Sequence, residues 1–158
     1  MKPSLAIYYA TMTGNAEELA RRAEARAAAV GWIPQLLNLS EVRPADLGEN
    51  TRAIFLVSTW GDGEPPADAD DFFRDLQQAA APALPQLRYA VLGLGDRDYA
   101  AFNAFARQLD ERLASLGAQR LHPRIEADVD FDDTYEEWET HVFTQLAADL
   151  AARPAFAA

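Results

Sequence analysis

Three short stretches concentrate the side chains that could do chemistry. The first, Thr11-Met12-Thr13-Gly14-Asn15-Ala16, places two hydroxyls, a glycine and an amide between an apolar run and an alanine-rich segment of helical period. Such a loop feeding a helix N-terminus offers backbone N–H groups and neutral side-chain donors to an anion, and the helix dipole adds to the attraction. It lacks the lysine that the triphosphate-binding loop G-x-x-x-x-G-K-[ST] uses to reach outer phosphates, so a phosphomonoester fits better. Taken alone, the same residues also serve as ordinary helix caps. The second stretch is Ser58-Thr59-Trp60-Gly61-Asp62-Gly63-Glu64-Pro65-Pro66, which puts a large π-surface at the mouth of an apolar run, followed by two glycines that free the backbone to turn. The third, Gly93-Leu94-Gly95-Asp96-Arg97-Asp98-Tyr99, leads on through Phe102 to Asn103 and repeats the logic with a tyrosine. One surface aromatic is more often packing than binding. Two of them, with paired glycines and a phosphate-type loop, describe a site for a flat ring carrying a phosphate.

The elements that must position these loops are legible from hydrophobic pattern. Leu5 to Ala10, Ala53 to Val57 and Tyr89 to Leu94 are almost continuously apolar, as strands are when helices cover both faces of a parallel sheet. Helical spacing recurs in Leu19, Ala23, Ala27 and Val30; in Ala69, Phe72, Phe73 and Leu76; in Phe102, Phe105, Ala106, Leu109, Leu113 and Leu116; and in Tyr135, Trp138, Val142 and Leu146. These predict four helices. Ile33 to Leu39 and Arg120 to Ile125 are weaker strand candidates whose prolines, Pro34 and Pro123, suit sheet edges. The alternation predicts a doubly wound, five-stranded parallel α/β sheet of order 2-1-3-4-5, with the proline-bearing strands outermost. Ligands bind beyond the carboxyl ends of such strands at the switch point, which gathers the loops after strands one, three and four into one site.

With 158 residues, 49% of them hydrophobic, the chain has the size of one domain. A net charge of -11 opposes binding to nucleic acid or to an anionic membrane and favours a positively charged protein partner. The absence of cysteine removes disulfides, thiolate ligands and a thiol nucleophile. Only about six apolar residues follow the N-terminal lysine, too few for a signal peptide, so the expected location is the cytoplasm.

The three stretches, in this order, strongly resemble the FMN-binding loops of flavodoxins and look closest to the flavodoxin-like domain of sulfite reductase flavoprotein and other diflavin reductases. The likeness continues through Leu113-Ala114-Ser115-Leu116-Gly117-Ala118 and Ala127-Asp128-Val129-Asp130 to Glu136-Glu137-Trp138, so it covers nearly the whole chain. It implies a flavodoxin-like, three-layer α/β/α fold, one FMN-binding domain over residues 1–152 and a short tail over 153–158. By the same resemblance Thr11, Thr13, Gly14, Asn15 and Ala16 cradle the FMN phosphate, and Ser58 and Thr59 complete the phosphate and ribityl contacts. Trp60 flanks one ring face and Tyr99 stacks on the other. The Gly61 carbonyl turns towards the ring N5 once the ring has gained an electron and a proton, a flip that glycine tolerates cheaply. Met12, Asp62, Gly63, Leu94, Gly95, Asp96, Phe102 and Asn103 complete the loops, and Asp130 is placed near the ribityl and ring edge as in the diflavin relatives. Met12 and Ala16 lack hydroxyls that many flavodoxins carry there, which shifts phosphate binding towards backbone N–H groups.

The functional expectation is an electron carrier, more a carrier than an enzyme, that takes single low-potential electrons from an NADPH-dependent flavin reductase to an acceptor and works as a monomer. A chain that opens at methionine and closes after its last helix favours a free-standing carrier. The motif likeness favours an FMN domain or subunit of a diflavin reductase, and an FMN-dependent quinone reductase is the third reading. Between Glu126 and Glu139 lie eight carboxylates and no basic residue. Such a run is either a solvated face or a docking surface for basic redox partners. His122 and His141 lack further metal ligands at a suitable spacing and read as structural. A response-regulator receiver shares the topology but needs acidic residues where Thr11, Met12, Ser58 and Thr59 stand.

Overall fold

The computed structural model describes residues 3–11, 13–49, 51–59, 63–78 and 80–152. Met12, Trp60, Gly61, Asp62 and the tail 153–158 lie outside the described residues. The central strands are β1 (Ser4–Ala10), β3 (Arg52–Ser58) and β4 (Arg88–Leu94), flanked by β2 (Ile33–Asn38) on one side and by β5 (Gln119–Arg120) and β6 (Ile125–Ala127) on the other. All pairings are parallel, in the order β2-β1-β3-β4-β5, with β6 also pairing β4. The expected order is therefore present.

The continuous apolar runs have a simple cause. Successive side chains of a strand point to opposite faces, and here each face has its own core. Ala6, Tyr8, Phe55, Val57, Tyr89 and Val91 pack on one side beneath α3 (Asp70–Leu76) and α4 (Ala104–Ser115). Leu5, Ile7, Ile54, Leu56, Ala90 and Leu92 pack on the other, beneath α1 (Asn15–Ala29) and α5 (Asp132–Ala152). Small residues on α1 (Ala16, Ala20, Ala23 and Ala27, all buried) let that helix lie close to the sheet.

Three features depart from the sequence expectation. A short helix α2 (Pro44–Leu47) buries Pro44 and Leu47, where no element was expected. The helix expected to include Phe102 starts only at Ala104, which leaves Phe102 in the preceding loop. The fifth strand is not one strand over Arg120 to Ile125 but two pieces pairing opposite ends of β4, β5 with Arg88–Tyr89 and β6 with Leu92–Leu94. Pro123 sits in the gap, where it has no N–H to donate to a ladder. A buried carboxylate holds the break together: Asp110 of α4 accepts from the Tyr89 hydroxyl at 2.6 Å, Arg120 Nε at 2.8 Å and Arg124 at 2.6 Å. Burial first, then this carboxylate, pushes the Tyr89 hydroxyl far above its ordinary range.

Because all strands run the same way, Ala10, Ser58, Leu94 and Ala127 end on one edge. The loops that follow them meet there.

Candidate functional site

At that edge lies a cavity of about 350 Å³, lined by Thr13, Asn15, Ser58, Thr59, Leu94, Gly95, Asp96, Tyr99, Ala101, Phe102, Asn103, Asp128, Val129 and Phe131. That volume falls within the range of small-molecule sites.

The first loop forms one end. Gly14 adopts φ +92° and has no atom of the described residues within 4 Å of a notional Cβ, so among them the left-handed backbone, not crowding, calls for glycine. Its N–H donates to Thr11 Oγ1 at 2.8 Å, which closes the turn. Helix α1 then begins without a side-chain cap, and the first helical bond is from Glu18 N–H to Gly14 O at 3.0 Å. The N–H groups of Asn15, Ala16 and Glu17 thus have no acceptor within the helix. Glu17 is bridged to Arg21 at 2.8 Å, which offsets the repulsion it would exert on an anion. The Ala16 side chain is buried in the core, so only its backbone remains available.

The second loop leaves β3 at Ser58, whose side chain lines the cavity. Thr59 N–H donates to Leu94 O at 3.0 Å, and Thr59 Oγ1 accepts from Phe105 N–H at 3.2 Å. Gly63 has φ +108°, and a Cβ there would come within 2.9 Å of Ala101 Cβ and 3.0 Å of Ala104 Cβ. This glycine therefore lets the second loop touch the third.

The third loop is packed around Asn103, which is fully buried at φ +53°. Its Nδ2 donates to Ala127 O at 3.1 Å, and Gly95 N–H donates to the same carbonyl at 3.0 Å. Gly93 and Gly95 make room for it: a Cβ on Gly93 would sit 2.4 Å from Asn103 Oδ1 and 2.5 Å from Ala106 Cβ. Asp96 turns the loop by accepting from Asp98 N–H at 2.9 Å. Asp128 ties this loop to the end of β6, accepting from Arg97 N–H at 3.1 Å and Val129 N–H at 2.8 Å, with the Arg97 guanidinium 3.4 Å away. Those backbone donors, chiefly, hold the Asp128 carboxyl below the usual range. Tyr99 and Val129 stay largely in water, 56% and 65% exposed, at the cavity.

Ten of the expected site residues line this cavity: Thr13, Asn15, Ser58, Thr59, Leu94, Gly95, Asp96, Tyr99, Phe102 and Asn103. Thr11, Gly14, Ala16 and Gly63 shape the surrounding backbone. Asp130 is not among the lining residues; its neighbours Asp128, Val129 and Phe131 are, and Ala101 joins them. Placing the end of the last strand at Ala127 rather than Ile125 would have drawn attention to Asp128.

The acidic run is not a bare face. Arg124 holds Glu126 at 2.8 Å, Arg22 reaches Asp132 at 3.3 Å and Glu136 at 3.6 Å, and Arg26 lies 4.0 Å from Glu139. With Asp128 on Arg97, the carboxylates of this run without an ion-pair partner among the described residues are Asp130, Asp133 and Glu137. His122 and His141 stack on each other, ring centroids 5.2 Å apart, and no group of three metal-binding side chains occurs among the described residues.

The donor set fits FMN. Open amides and neutral hydroxyls of the first loop are available to a phosphate, and the exposed Tyr99 and Val129 to an apolar ring. Comparison with known proteins agrees. The chain is 40% identical over 151 residues to the sulfite reductase [NADPH] flavoprotein alpha-component of Vibrio cholerae, covering 96% of this chain and 25% of that protein. It is 37% identical over 154 residues to the component of the same name from Bacillus subtilis (strain 168), covering 96% and 26%. It thus spans about a quarter of the length of the curated relatives it matches. Among solved structures, a flavodoxin of Streptococcus pneumonia TIGR4 superposes with TM-score 0.80 at 30% identity, covering 92% of this chain and 98% of that one. The Flavodoxin family profile matches residues 7–140, and the chain belongs to the flavodoxin family, whose cofactor is FMN.

Proposed function

We propose that this chain is an FMN-dependent electron-transfer domain that passes single low-potential electrons from an NADPH-dependent flavin reductase to an acceptor. One observation carries the reading: a single cavity joins an uncapped helix N-terminus at α1 to exposed apolar walls at Tyr99 and Val129. Bound FMN supplies one-electron redox chemistry at its ring. The chain supplies the rest. The amides of Asn15, Ala16 and Glu17, with the Thr13 and Asn15 side chains, hold the phosphate. Ser58 would serve the phosphate and ribityl region, Trp60 and Tyr99 would cover the ring faces, and the peptide after Gly61 would be the one free to answer a change in the ring's protonation. Asp96 and Asp128 line the cavity, Asp128 paired with Arg97, and their negative charge would disfavour adding more and keep the last electron at low potential.

The match to the sulfite reductase flavoprotein alpha-component over a quarter of its length supports a second reading, an FMN module that works with an NADPH- and FAD-binding partner. Both readings predict the same first result. Titrating the protein with FMN and then with reductant under anaerobic conditions yields a bound flavin spectrum and two resolved one-electron steps, with negligible NADPH oxidation unless a reductase is added. Absence of flavin binding overturns both readings, and direct NADPH oxidation overturns the carrier role.

Docking of basic partners follows from the charge, and the arginine pairs refine where. Neutralising Asp130, Asp133 and Glu137 together slows reduction by a partner at low salt more than neutralising Asp132, Glu136 and Glu139, because the latter are already paired. Stopped-flow rates against ionic strength decide this, and salt-independent rates dismiss electrostatic docking.

A further inference from the structure

The geometry points to a second role for Thr59 beside lining the cavity: it is a positioning residue that caps helix α4 from a different loop. Helix α4 starts after Asn103, which is left-handed and provides no side-chain cap of its own. Ala104 N–H finds Ala101 O at 3.0 Å, but the next amide, Phe105 N–H, has the Thr59 hydroxyl as its acceptor, 46 residues away in sequence. On the other side of the same residue, Thr59 N–H is bound to Leu94 O at the end of β4. Thr59 thereby joins the exits of β3 and β4 to the first turn of α4. Four residues on, Gly63 lies so close to Ala101 and Ala104, the same segment, that a Cβ there would meet both within about 3 Å. The second loop is thus clasped at two points to the start of α4, and α4 in turn anchors Asn103 against β6.

This inference rests on the reading that these loops hold FMN, but its decisive measurement needs no FMN. In the apoprotein, the Phe105 amide should exchange with solvent more slowly than the open first-turn amides of α1, Asn15 to Glu17. Thr59→Val, which keeps the shape and removes the acceptor, should speed Phe105 exchange about five- to tenfold, and Thr59→Ser should restore it. Thr59→Val should also weaken FMN binding, with Ser restoring it. Unchanged Phe105 exchange in Thr59→Val, or wild-type Phe105 exchanging as fast as Asn15 to Glu17, overturns the clasp. The second of these tests stands even if the valine variant does not fold. A separate variant, Ser58→Ala, probes the cavity itself: lost FMN affinity with Phe105 exchange intact supports the site reading. Failure of the wild-type protein to bind FMN dismisses the site while leaving the clasp to be judged by exchange alone.

Discussion

Helices α1 and α4 begin in the same unusual way and then diverge. Each is entered through a left-handed residue, Gly14 at φ +92° and Asn103 at φ +53°, and neither residue caps its helix with a side chain. Around Gly14 the described residues leave space, and the first-turn amides of α1 have no acceptor among them. Around Asn103 the space is filled: its Nδ2 is bonded to Ala127 O while its buried Oδ1 has no hydrogen-bond partner among the described residues, its neighbours have been reduced to glycine, and the first two amides of α4 are taken by Ala101 and Thr59. A left-handed helix entry therefore serves as a receptor when its donors are left unpaired and as a joint when they are consumed. Which of the two it is cannot be judged from the turn itself; it depends on what the rest of the chain brings to it.

The contrast can be broken from the packed side first. Gly93→Ala drives a methyl into Asn103 and Ala106 and should destabilise the apoprotein by at least about 1–3 kcal/mol, because neither backbone nor buried amide can retreat. Chemical denaturation measures this, and an unchanged midpoint would show that the joint is looser than described. Gly14→Ala should cost about 1–2 kcal/mol, from left-handed strain alone. Its effect on apoprotein stability should be smaller than that of Gly93→Ala, while FMN affinity falls as the turn rotates its amides. Tyr99→Ala tests the exposed wall: flavin affinity should drop about tenfold with apoprotein stability nearly unchanged, since the ring is mostly in solvent before binding. A matching loss of apoprotein stability would mean that Tyr99 is packing, not waiting. The smallest effect concerns Asp128. Its folded-state carboxyl titrates below the ordinary value, so the ionised group adds stability that is fully present above about pH 4 and is lost as pH falls through the lowered value. Asp128→Asn should narrow towards wild type on acidification; a stability difference that ignores pH would remove the carboxylate from the tether.

Local pattern made much of this protein legible. Uninterrupted apolar runs announced β1, β3 and β4 because both faces of each are buried, and Pro34 and Pro123 announced the sheet edges because proline cannot donate. The three loops announced the cavity because a parallel sheet sends all strand exits to one side. What stayed hidden depends on distant partners. Arg22 neutralises Asp132 across 110 residues, which no inspection of the acidic run itself reveals. Asp128 drew no notice as a site residue beside Asp130, because its bond to Arg97 N–H appears only once β6 has docked. That Thr59 also caps α4 stayed hidden because its bond to Phe105 appears only once α4 has docked. The split of the last strand was hidden for a related reason, since the Asp110 cluster that holds the break draws on Tyr89, Arg120 and Arg124 together.

That split has a consequence for how the molecule meets its own kind. An open sheet has two exposed borders, and a long unpaired border is a template on which another chain can add a strand. Here one border is β2, with Pro34 withholding a donor near its start, and the other is β5 and β6, two and three residues long with Pro123 between them. Neither offers an unbroken row of hydrogen-bonding groups. The same interruption that lets β6 hold the ring-facing loops in place also leaves the sheet with no straight edge along which aggregation could propagate.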